Sequence, residues 1–310
     1  MEFAHVSVMF REVIDSLNIK ENGIYADGTL GGGGHTGGIL SSCNHVRVVG
    51  IDRDTDAICA AKKRLHEFGD RFIAVHSNFS DVKQVMSELE IGGIDGAVLD
   101  LGVSSYQLDE ASRGFSYIHD APLDMRMNRL EGISAAEVIN TYSPEKLTEI
   151  FYSYGEEKWS KRIAEFICEQ RAKKPFETTG ELVDIIEKAI PKAARADGGH
   201  PAKRVFQAVR IEVNGELRIL EGALRDFTEL LNPGGRLAVI TFHSLEDRIV
   251  KNTFKDLCTD CICPKEFPVC VCNHRAVARP VSRKPVLPSQ KELEENSRSR
   301  SAKLRVIEKI

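Results

Sequence analysis

The most informative part of this chain is Asp27-Gly28-Thr29-Leu30-Gly31-Gly32-Gly33-Gly34-His35. It follows a short apolar run at residues 23–26, and a helix is predicted to begin after it, near Thr36. A glycine loop between a strand and a helix lets a ligand approach the backbone where any Cβ would collide, and the start of the helix offers free N–H groups. The stretch therefore predicts a strand–loop–helix unit whose turn binds a nucleotide-like ligand.

Three further apolar runs are typical of parallel strands. They occupy residues 46–51, 72–75 and 94–99, and amphipathic segments such as residues 57–68 separate them. Strands that alternate with helices form a parallel sheet covered on both faces. This part of the chain therefore predicts an α/β fold, a doubly wound Rossmann-like sheet.

The alternation stops after the fourth run. Residues 107–203 have helical patterns, at residues 145–152, 159–173 and 180–190 among others, and no convincing strand. The α/β pattern then returns with a helix at residues 214–231, a turn at 232–235, a strand at 236–242 and a last strand at 303–307, while residues 269–289 are predicted as an extended loop. We therefore predict an α/β domain at residues 1–106 and 204–310, with a helical domain inserted at residues 107–203.

Composition restricts the class of protein. The chain has 310 residues, of which 42% are hydrophobic and 28% charged, as expected for a globular protein with a well-buried core. Its N-terminal residues 1–20 lack the apolar stretch of a signal peptide, and no later run approaches membrane-spanning length. We therefore expect a cytoplasmic protein with reduced cysteines and no membrane partner. Homo-oligomers are neither indicated nor excluded.

Positive charge is concentrated in two segments, although the formal net charge is −4. Residues 190–210 hold five basic residues against Asp197 alone, and residues 267–291 hold five and no acid. A chain that binds a polyanion must concentrate its positive charge in this way, but a solvated basic surface explains the pattern equally well. The candidate RNA contacts are Arg204, Arg210, Arg279 and Arg283.

Two residues stand where a nucleoside would lie. Asp52 ends the second strand, where a carboxylate can accept hydrogen bonds from both hydroxyls of a ribose. Phe79 follows the third strand and could cover an adenine face, although a place in the core explains it as well. Dinucleotide cofactors and S-adenosylmethionine share this arrangement, so these residues leave both possibilities open.

The end of the fourth strand favours methyl transfer. Residues 100–105 place the carboxylate of Asp100, a glycine and two hydroxyls at the edge of the sheet that binds ligands. A cytosine amino group has its lone pair delocalised into the ring, so an enzyme that methylates it must align the group with the methyl donor and accept its N–H bonds. Asp100 could orient an amino group in this way, or it could simply cap a turn.

Eight motifs are spread over nearly the whole chain: HVSVM at residues 5–9, DGTLGGGGH at 27–35, DLGVSSYQLD at 100–109, RGFS at 113–116, PLDMRM at 122–127, RVFQAVRIEVN at 204–214, FHSLEDR at 242–248 and SRSAKLR at 299–305. In this order they resemble the RsmH/MraW methyltransferases. One departure is Ser7-Val8-Met9, where that family usually has Pro-Val-Leu, and it bears only on local backbone rigidity.

The resemblance implies an S-adenosylmethionine-dependent enzyme that methylates the N4 amino group of a decoding-centre (P-site) cytidine in the 16S rRNA of the small ribosomal subunit. It also implies that the inserted helical domain recognises the substrate. The implied cofactor contacts are Gly33, Gly34, His35, Asp52, Phe79, Asp100 and Gln107. Among these, His35 and Gln107 depend chiefly on the resemblance.

Two further groups leave alternatives open. His243 follows a core strand, so it is a candidate catalytic residue beside Asp100, but a structural polar network would account for it equally well. Five cysteines within residues 258–272, together with His274, offer soft metal ligands. Two Cys-x-Cys pairs are not the usual zinc-finger spacing, and we favour no obligatory metal.

Two other classes of protein would share part of this pattern. An NAD-dependent oxidoreductase would use the glycine loop and Asp52, but it gives no reason for residues 100–105 or for the basic segments. A cofactor-sensing RNA-binding assembly factor would have the same fold and would need no amino-group acceptor at Asp100. Methyl transfer to RNA separates the three.

Overall fold

The computed structural model describes residues 7–195, 199–264, 266–272 and 274–310. His5 and Val6 of the first motif, and Asp197 of the first basic segment, lie outside the described residues. The chain forms two units, one built from Met1–Gly102 with Leu217–Ile310 and the other from Val103–Glu216.

The first unit is organised around one sheet. Its strands are β1 (Ile24–Asp27), β2 (Arg47–Asp52), β3 (Phe72–His76), β4 (Ile94–Asp100), β5 (Leu231–Thr241), β6 (Ala278–Pro280) and β7 (Lys303–Lys309). They form a seven-stranded sheet in the order β3-β2-β1-β4-β5-β7-β6. The β1, β2, β3, β4 and β5 pairings are parallel, and β7 pairs antiparallel with both β5 and β6. The predicted doubly wound α/β sheet is confirmed.

The helices are numbered in chain order. They are α1 (Phe10–Leu17), α2 (Gly34–Ser42), α3 (Thr55–Arg64), α4 (Val82–Glu88), α5 (Ser105–Asp109), α6 (Ala135–Thr141), α7 (Pro144–Ser153), α8 (Ser160–Arg171), α9 (Thr179–Ala189), α10 (Lys203–Asn214), α11 (Glu216–Leu230), α12 (Ser244–Leu257) and α13 (Gln290–Glu295). The helices predicted at residues 145–152, 159–173 and 180–190 are thus α7, α8 and α9. Helix α7 begins with Pro144 after the N-cap Ser143, whose hydroxyl accepts the N–H of Lys146.

Successive residues of the central strands belong to different hydrophobic clusters. Ala26 and Leu99 pack in one cluster, whereas their neighbours Tyr25 and Val98 pack in another. Because side chains alternate across a strand, the two clusters lie on opposite faces of the sheet. Helices therefore cover both faces, which explains why the strands are continuous apolar runs.

Two local predictions about the sheet were wrong. The turn predicted at residues 232–235 lies within β5, because Leu231 pairs with Ile94 and Arg236 with Gly96, so the intervening residues bulge out of the ladder. The glycine at 234 has a φ of +75° and accommodates the irregularity. Within the predicted loop at residues 269–289, a short strand, β6, pairs with β7.

The helical unit has its own core. Buried residues of α6 to α10, including Ile139, Phe151, Ile163 and Ile186, form one cluster. Helix α10 buries Val205, Phe206, Ala208 and Val209 in the same cluster. The unit therefore extends over Val103–Glu216 and not only over the predicted residues 107–203, because the apolar face of α10 packs here.

Among the described residues, no helix is both long enough and apolar enough to cross a membrane.

Candidate functional site

The carboxyl ends of the central strands bring three aspartates to one edge of the sheet. Asp27 ends β1 and lies in register with Gly50 of β2 and Val98 of β4. Asp52 and Asp100 therefore end the flanking strands two residues farther along. In an open α/β sheet this edge is the ligand-binding edge.

The glycine loop after β1 is required by its surroundings. A Cβ on Gly28 would lie 2.4 Å from Leu99 Cδ2. Gly33 has a φ of +75°, and a Cβ there would lie 2.8 Å from Leu65 Cδ1. A Cβ on Gly32, by contrast, would meet no heavy atom of the described residues within 4 Å. The loop is thus packed on its inner side and open to a ligand at Gly32, just before α2.

Asp52 holds this loop in place. Its Oδ2 accepts the backbone N–H of Gly31 at 2.8 Å, and its Oδ1 accepts that of Asp54 at 2.9 Å. Burial raises the pKa of this carboxyl above its ordinary value. A carboxylate oxygen has more than one lone pair, so each oxygen can still accept a hydroxyl proton from a ribose. The geometry is therefore compatible with the predicted ribose contact, which stays a prediction.

Asp27 is a functional candidate that was missed in the sequence. Its carboxylate accepts the Oγ1–H of Thr36 at 2.7 Å and the N–H of Thr29 at 3.1 Å. Burial raises its pKa to about 6. A signal was available, because Asp27 ends a central strand just as Asp52 and Asp100 do.

Asp100 lies between the glycine loop and His35. Its N–H donates to Thr29 Oγ1 at 2.6 Å, and its Oδ2 lies 3.9 Å from His35 Nδ1. Its Oδ1 is buried and has no hydrogen-bond partner among the described residues. Burial, and then the negative charges of Asp27, Glu246 and Glu292, raise its pKa well above the ordinary value.

His35 lies in the first turn of α2, close to this carboxyl. Its Nε2 lies 3.1 Å from the carbonyl oxygen of Val8, which can only accept, so Nε2 carries a proton. In the neutral ring, Nδ1 therefore presents a lone pair towards Asp100. His35 is only 4% exposed and is therefore buried.

His243 serves chiefly as the N-cap of α12. Its Nδ1 accepts the N–H of Glu246, while Glu246 Oε2 accepts the N–H groups of Phe242 and His243, at 2.8 and 3.3 Å. His243 Nε2 lies 3.1 Å from Glu246 Oε1, but the two atoms are not aligned for a hydrogen bond. These contacts form a structural polar network, which is one of the two alternatives that the sequence left open for His243. The catalytic role of His243 stays a prediction.

Phe79 and Gln107 lie in different units. Phe79 begins a 3₁₀ turn after β3, is half-buried and packs on the core, and its Cβ would be 3.2 Å from a Cβ on Gly28. Gln107 belongs to the helical unit, where its side chain accepts the N–H of Ser104 in the capping box that begins α5. Cofactor contacts by both residues remain predictions.

The four candidate RNA-binding arginines differ in their pairing. Arg210 donates to both carboxylate oxygens of Glu216, each at 2.9 Å, and Arg279 pairs with Glu308. Arg204 is exposed, and its guanidinium donates to the carbonyl of Glu156 at 3.3 Å. Arg283 is exposed in the segment after β6. Arg204 and Arg283 are thus better placed to bind phosphate than the two paired arginines.

These residues fit a nucleoside that carries a positive charge. The loop is open at Gly32, Asp52 supplies acceptors for a ribose, and the buried Oδ1 of Asp100 has unused acceptor capacity. The sheet order, with an antiparallel β7 inserted beside β5, is that of the class I methyltransferases.

The chain belongs to the MraW methylase family, which residues 2–310 match. This confirms the predicted family and, with the fold, identifies S-adenosylmethionine as the methyl donor.

Curated relatives resemble the chain along its full length. It is 58% identical to the ribosomal RNA small subunit methyltransferase H of Clostridium botulinum (strain Loch Maree / Type A3), with 100% of each chain covered. Proteins with the same name in Clostridioides difficile (strain 630) and Finegoldia magna are 55% and 54% identical, again with 100% of each chain covered.

Proposed function

We propose that this chain transfers a methyl group from S-adenosylmethionine to the N4 amino group of a decoding-centre (P-site) cytidine in the 16S rRNA of the small ribosomal subunit, in the cytoplasm. Methylation of ribosomal RNA is supported by relatives that bear this activity in their names and are 58% and 55% identical. The choice of an amino group as acceptor is supported by the chemistry of Asp100.

The unpartnered Oδ1 of Asp100 is the single observation that carries the amino-group proposal. A buried polar atom without a partner is costly, and such atoms concentrate where a ligand completes the bonding. An exocyclic amino group has N–H bonds to donate, which a carboxylate accepts. Asp100 would hold the amino nitrogen in one orientation, and orientation is a large part of catalysis in a transfer between two bound reactants.

The raised pKa of Asp100 fits this role. Burial and the nearby acids favour the protonated form of the carboxyl. A protonated carboxyl is a poorer hydrogen-bond acceptor than a carboxylate. S-adenosylmethionine, when bound, supplies a methyl group on a positively charged sulfur. A positive charge and N–H donors near Asp100 both favour its ionised form, so the acceptor is formed when both ligands are present.

The remaining residues of the sheet edge would hold the cofactor. We assign Gly33, Gly34 and His35 to its close approach at the glycine loop, Asp52 to the ribose and Phe79 to the adenine. Gln107 is the remaining proposed cofactor contact. The open space at Gly32 supports a close approach of the ligand to this loop, and the spare lone pairs of Asp52 support the ribose contact.

The helical unit, residues 103–216, would recognise the RNA. The exposed Arg204 at the start of α10 supports this assignment, as does Arg283 for the segment after β6. The target cytidine must leave its stack to reach a buried carboxylate, which costs a few kcal/mol and favours an unpaired or distorted site in the RNA. Contacts to phosphate would have to offset that cost.

The test is direct methylation of small subunits taken from cells that lack this protein. The chain is incubated with the subunits and a methyl-labelled donor, and the modified nucleoside is identified by mass mapping. We expect label on the N4 nitrogen of one cytidine of 16S rRNA.

Two outcomes would contradict the proposal. Binding without label would favour the assembly factor, and label on a ring carbon or a ribose oxygen would remove the role of Asp100 as an amino-group acceptor. Asp100→Asn should lose most of the label in the same assay. Asp15→Asn is its matched control, because Asp15 is an exposed carboxylate on α1.

A further inference from the structure

Four cysteines of the segment between α12 and β6 converge on one point. Cys261 and Cys263 form one Cys-x-Cys pair, and Cys270 and Cys272 form the other. Their four sulfur atoms all lie within 4.8 Å of one another. Neither pair lies in a helix or a strand.

The distances among three of the four sulfurs match a single tetrahedral metal. Cys261 Sγ lies 3.5 Å from Cys270 Sγ and 3.8 Å from Cys272 Sγ, and Cys270 and Cys272 are 3.5 Å apart. A zinc ion with four Zn–S bonds of about 2.3 Å places its sulfurs about 3.8 Å apart. In an iron–sulfur cluster the thiolates bind different iron atoms and are spread more widely.

The backbone around the cluster stabilises thiolates. The N–H of Val271 donates to Cys263 Sγ at 3.4 Å. The backbone N–H groups of Ile262 and His274 also donate to Cys272. Hydrogen bonds to a coordinating sulfur are the usual outer support of a metal site.

Two nearby residues are not part of this cluster. His274 Nδ1 lies 2.7 Å from the carbonyl of Thr259, and its Nε2 lies 3.6 Å from Asp256 Oδ1, so the ring faces α12 and its end. Cys258 is half-buried against the core, and burial raises the pKa of its thiol to about 11. The ligand set is therefore the two Cys-x-Cys pairs, without the histidine that the sequence suggested.

The geometry points to a structural zinc site formed by Cys261, Cys263, Cys270 and Cys272, which fixes the segment between α12 and β6. Four protein ligands leave no open position, and closed sites of this kind are structural. The unusual spacing was the objection to a metal in the sequence, and the convergence of the four sulfurs removes it.

The first test is the metal content of the chain, purified under reducing conditions and without chelator. Elemental analysis should find about one zinc per chain, as a closed Cys₄ site requires. Stoichiometric iron, or neither zinc in the purified chain nor uptake of Zn²⁺ after chelation and reduction, would overturn the proposal.

The second test uses Cys261→Ser and Cys272→Ser, with Cys59→Ser as the matched control because Cys59 is an exposed thiol on α3. Zinc should be lost in the first two variants and retained in the control. In the wild-type chain, Co²⁺ added after chelation should give the thiolate charge-transfer absorption of a tetrahedral site. Zinc retained in both cluster variants, or intact masses that show disulfides in place of metal, would count against the site.

Discussion

The strand-end aspartates and the cysteine cluster are two polar sites of the same unit, and they are organised in opposite ways. Asp27, Asp52 and Asp100 each end a strand, and backbone donors from the glycine loop and a hydroxyl from α2 hold Asp27 and Asp52. The four cysteines lie in a segment without long regular structure, and Ile262 and Val271 beside them are 58% and 67% exposed.

This difference shows what fixes the geometry of each site. The aspartates are placed by the sheet, so their geometry exists before any ligand binds, and the cost is three carboxyls with raised pKa values. The cysteine segment has little buried apolar surface to order it, so an ion must supply the order. Changes made to one site at a time test this contrast.

The largest effect is expected at Asp100. Asp100→Asn keeps the shape but replaces an acceptor oxygen with a donor, so the amino group of the target is no longer aligned. Turnover at saturating cofactor should fall about 100-fold, the scale expected for a misplaced reactant. The ionised carboxyl is the better acceptor and its pKa is raised, so wild-type turnover should rise with pH, and the residual turnover of the variant should not.

Cofactor affinity must be measured separately in this variant, by calorimetry. Near-wild-type turnover at saturating cofactor would contradict the orienting role. Asp15→Asn should leave both turnover and affinity unchanged, because its carboxylate is exposed on α1.

Asp27 should make the chain less stable as the pH rises. Its pKa is raised on folding from 3.8 to about 6, so its favourable contribution is present below about pH 4 and is lost as the pH rises through about 6. A shift of about two pKa units corresponds to about 3 kcal/mol at most. Asp27→Asn should therefore match the wild type near pH 4 and exceed its free energy of unfolding near pH 8.

Denaturant unfolding of both proteins across this pH range checks the prediction. The asparagine oxygen can still accept from Thr29, and the hydroxyl of Thr36 can reverse its role and accept from the amide. Parallel pH profiles for the two proteins would show that Asp27 is already ionised without cost.

Asp52→Ala should weaken S-adenosylmethionine binding by about 1.5–3 kcal/mol, because a charged hydrogen-bonding group is removed. The structure adds a second cause, since Asp52 also holds Gly31 of the glycine loop. Asp52→Asn retains one acceptor oxygen and should lose less. Calorimetric affinities that are unchanged in both variants would remove Asp52 from the cofactor site.

Zinc removal should affect the cysteine segment alone. Chelation of the wild-type chain should expose the segment between α12 and β6 to proteolysis, while cofactor affinity changes less than about twofold, as for sites that share no partners. A large loss of cofactor affinity on chelation would mean that the two sites are coupled and that their order does not come from separate sources.

The sequence predicted the sheet-edge site because regular structure obeys positional rules. A strand that ends in an aspartate must place it at the ligand-binding edge, so Asp52 and Asp100 followed from their positions alone. Asp27 follows the same rule. It was not predicted as a site residue because the prediction for this stretch was based on the glycines that follow it.

Other features could not be predicted by such rules. The convergence of two Cys-x-Cys pairs depends on the path of an irregular segment, which spacing does not determine. The bulge in β5 was taken as a turn, because Asn232-Pro233-Gly234-Gly235 has turn composition and only the pairing of Leu231 with Ile94 shows that the strand begins earlier. Helix α10 was assigned to the wrong unit, since an apolar face does not say which core it joins.

The smallest effect is expected for the four candidate RNA-binding arginines. It should differ between the arginines that pair with a carboxylate and those that do not. Removing a single Arg–phosphate interaction should lower the magnitude of the slope of log affinity against log salt by about 0.7–0.9. Both Arg283 and Arg279 are exposed, but Arg279 in β6 already pairs with Glu308. Arg283→Ala should therefore flatten the salt dependence of binding to small subunits, and Arg279→Ala should change it less. The same contrast is expected between the exposed Arg204 and Arg210, which is held by Glu216. If all four variants keep the wild-type affinity and slope, these arginines are solvated surface and the RNA follows another path.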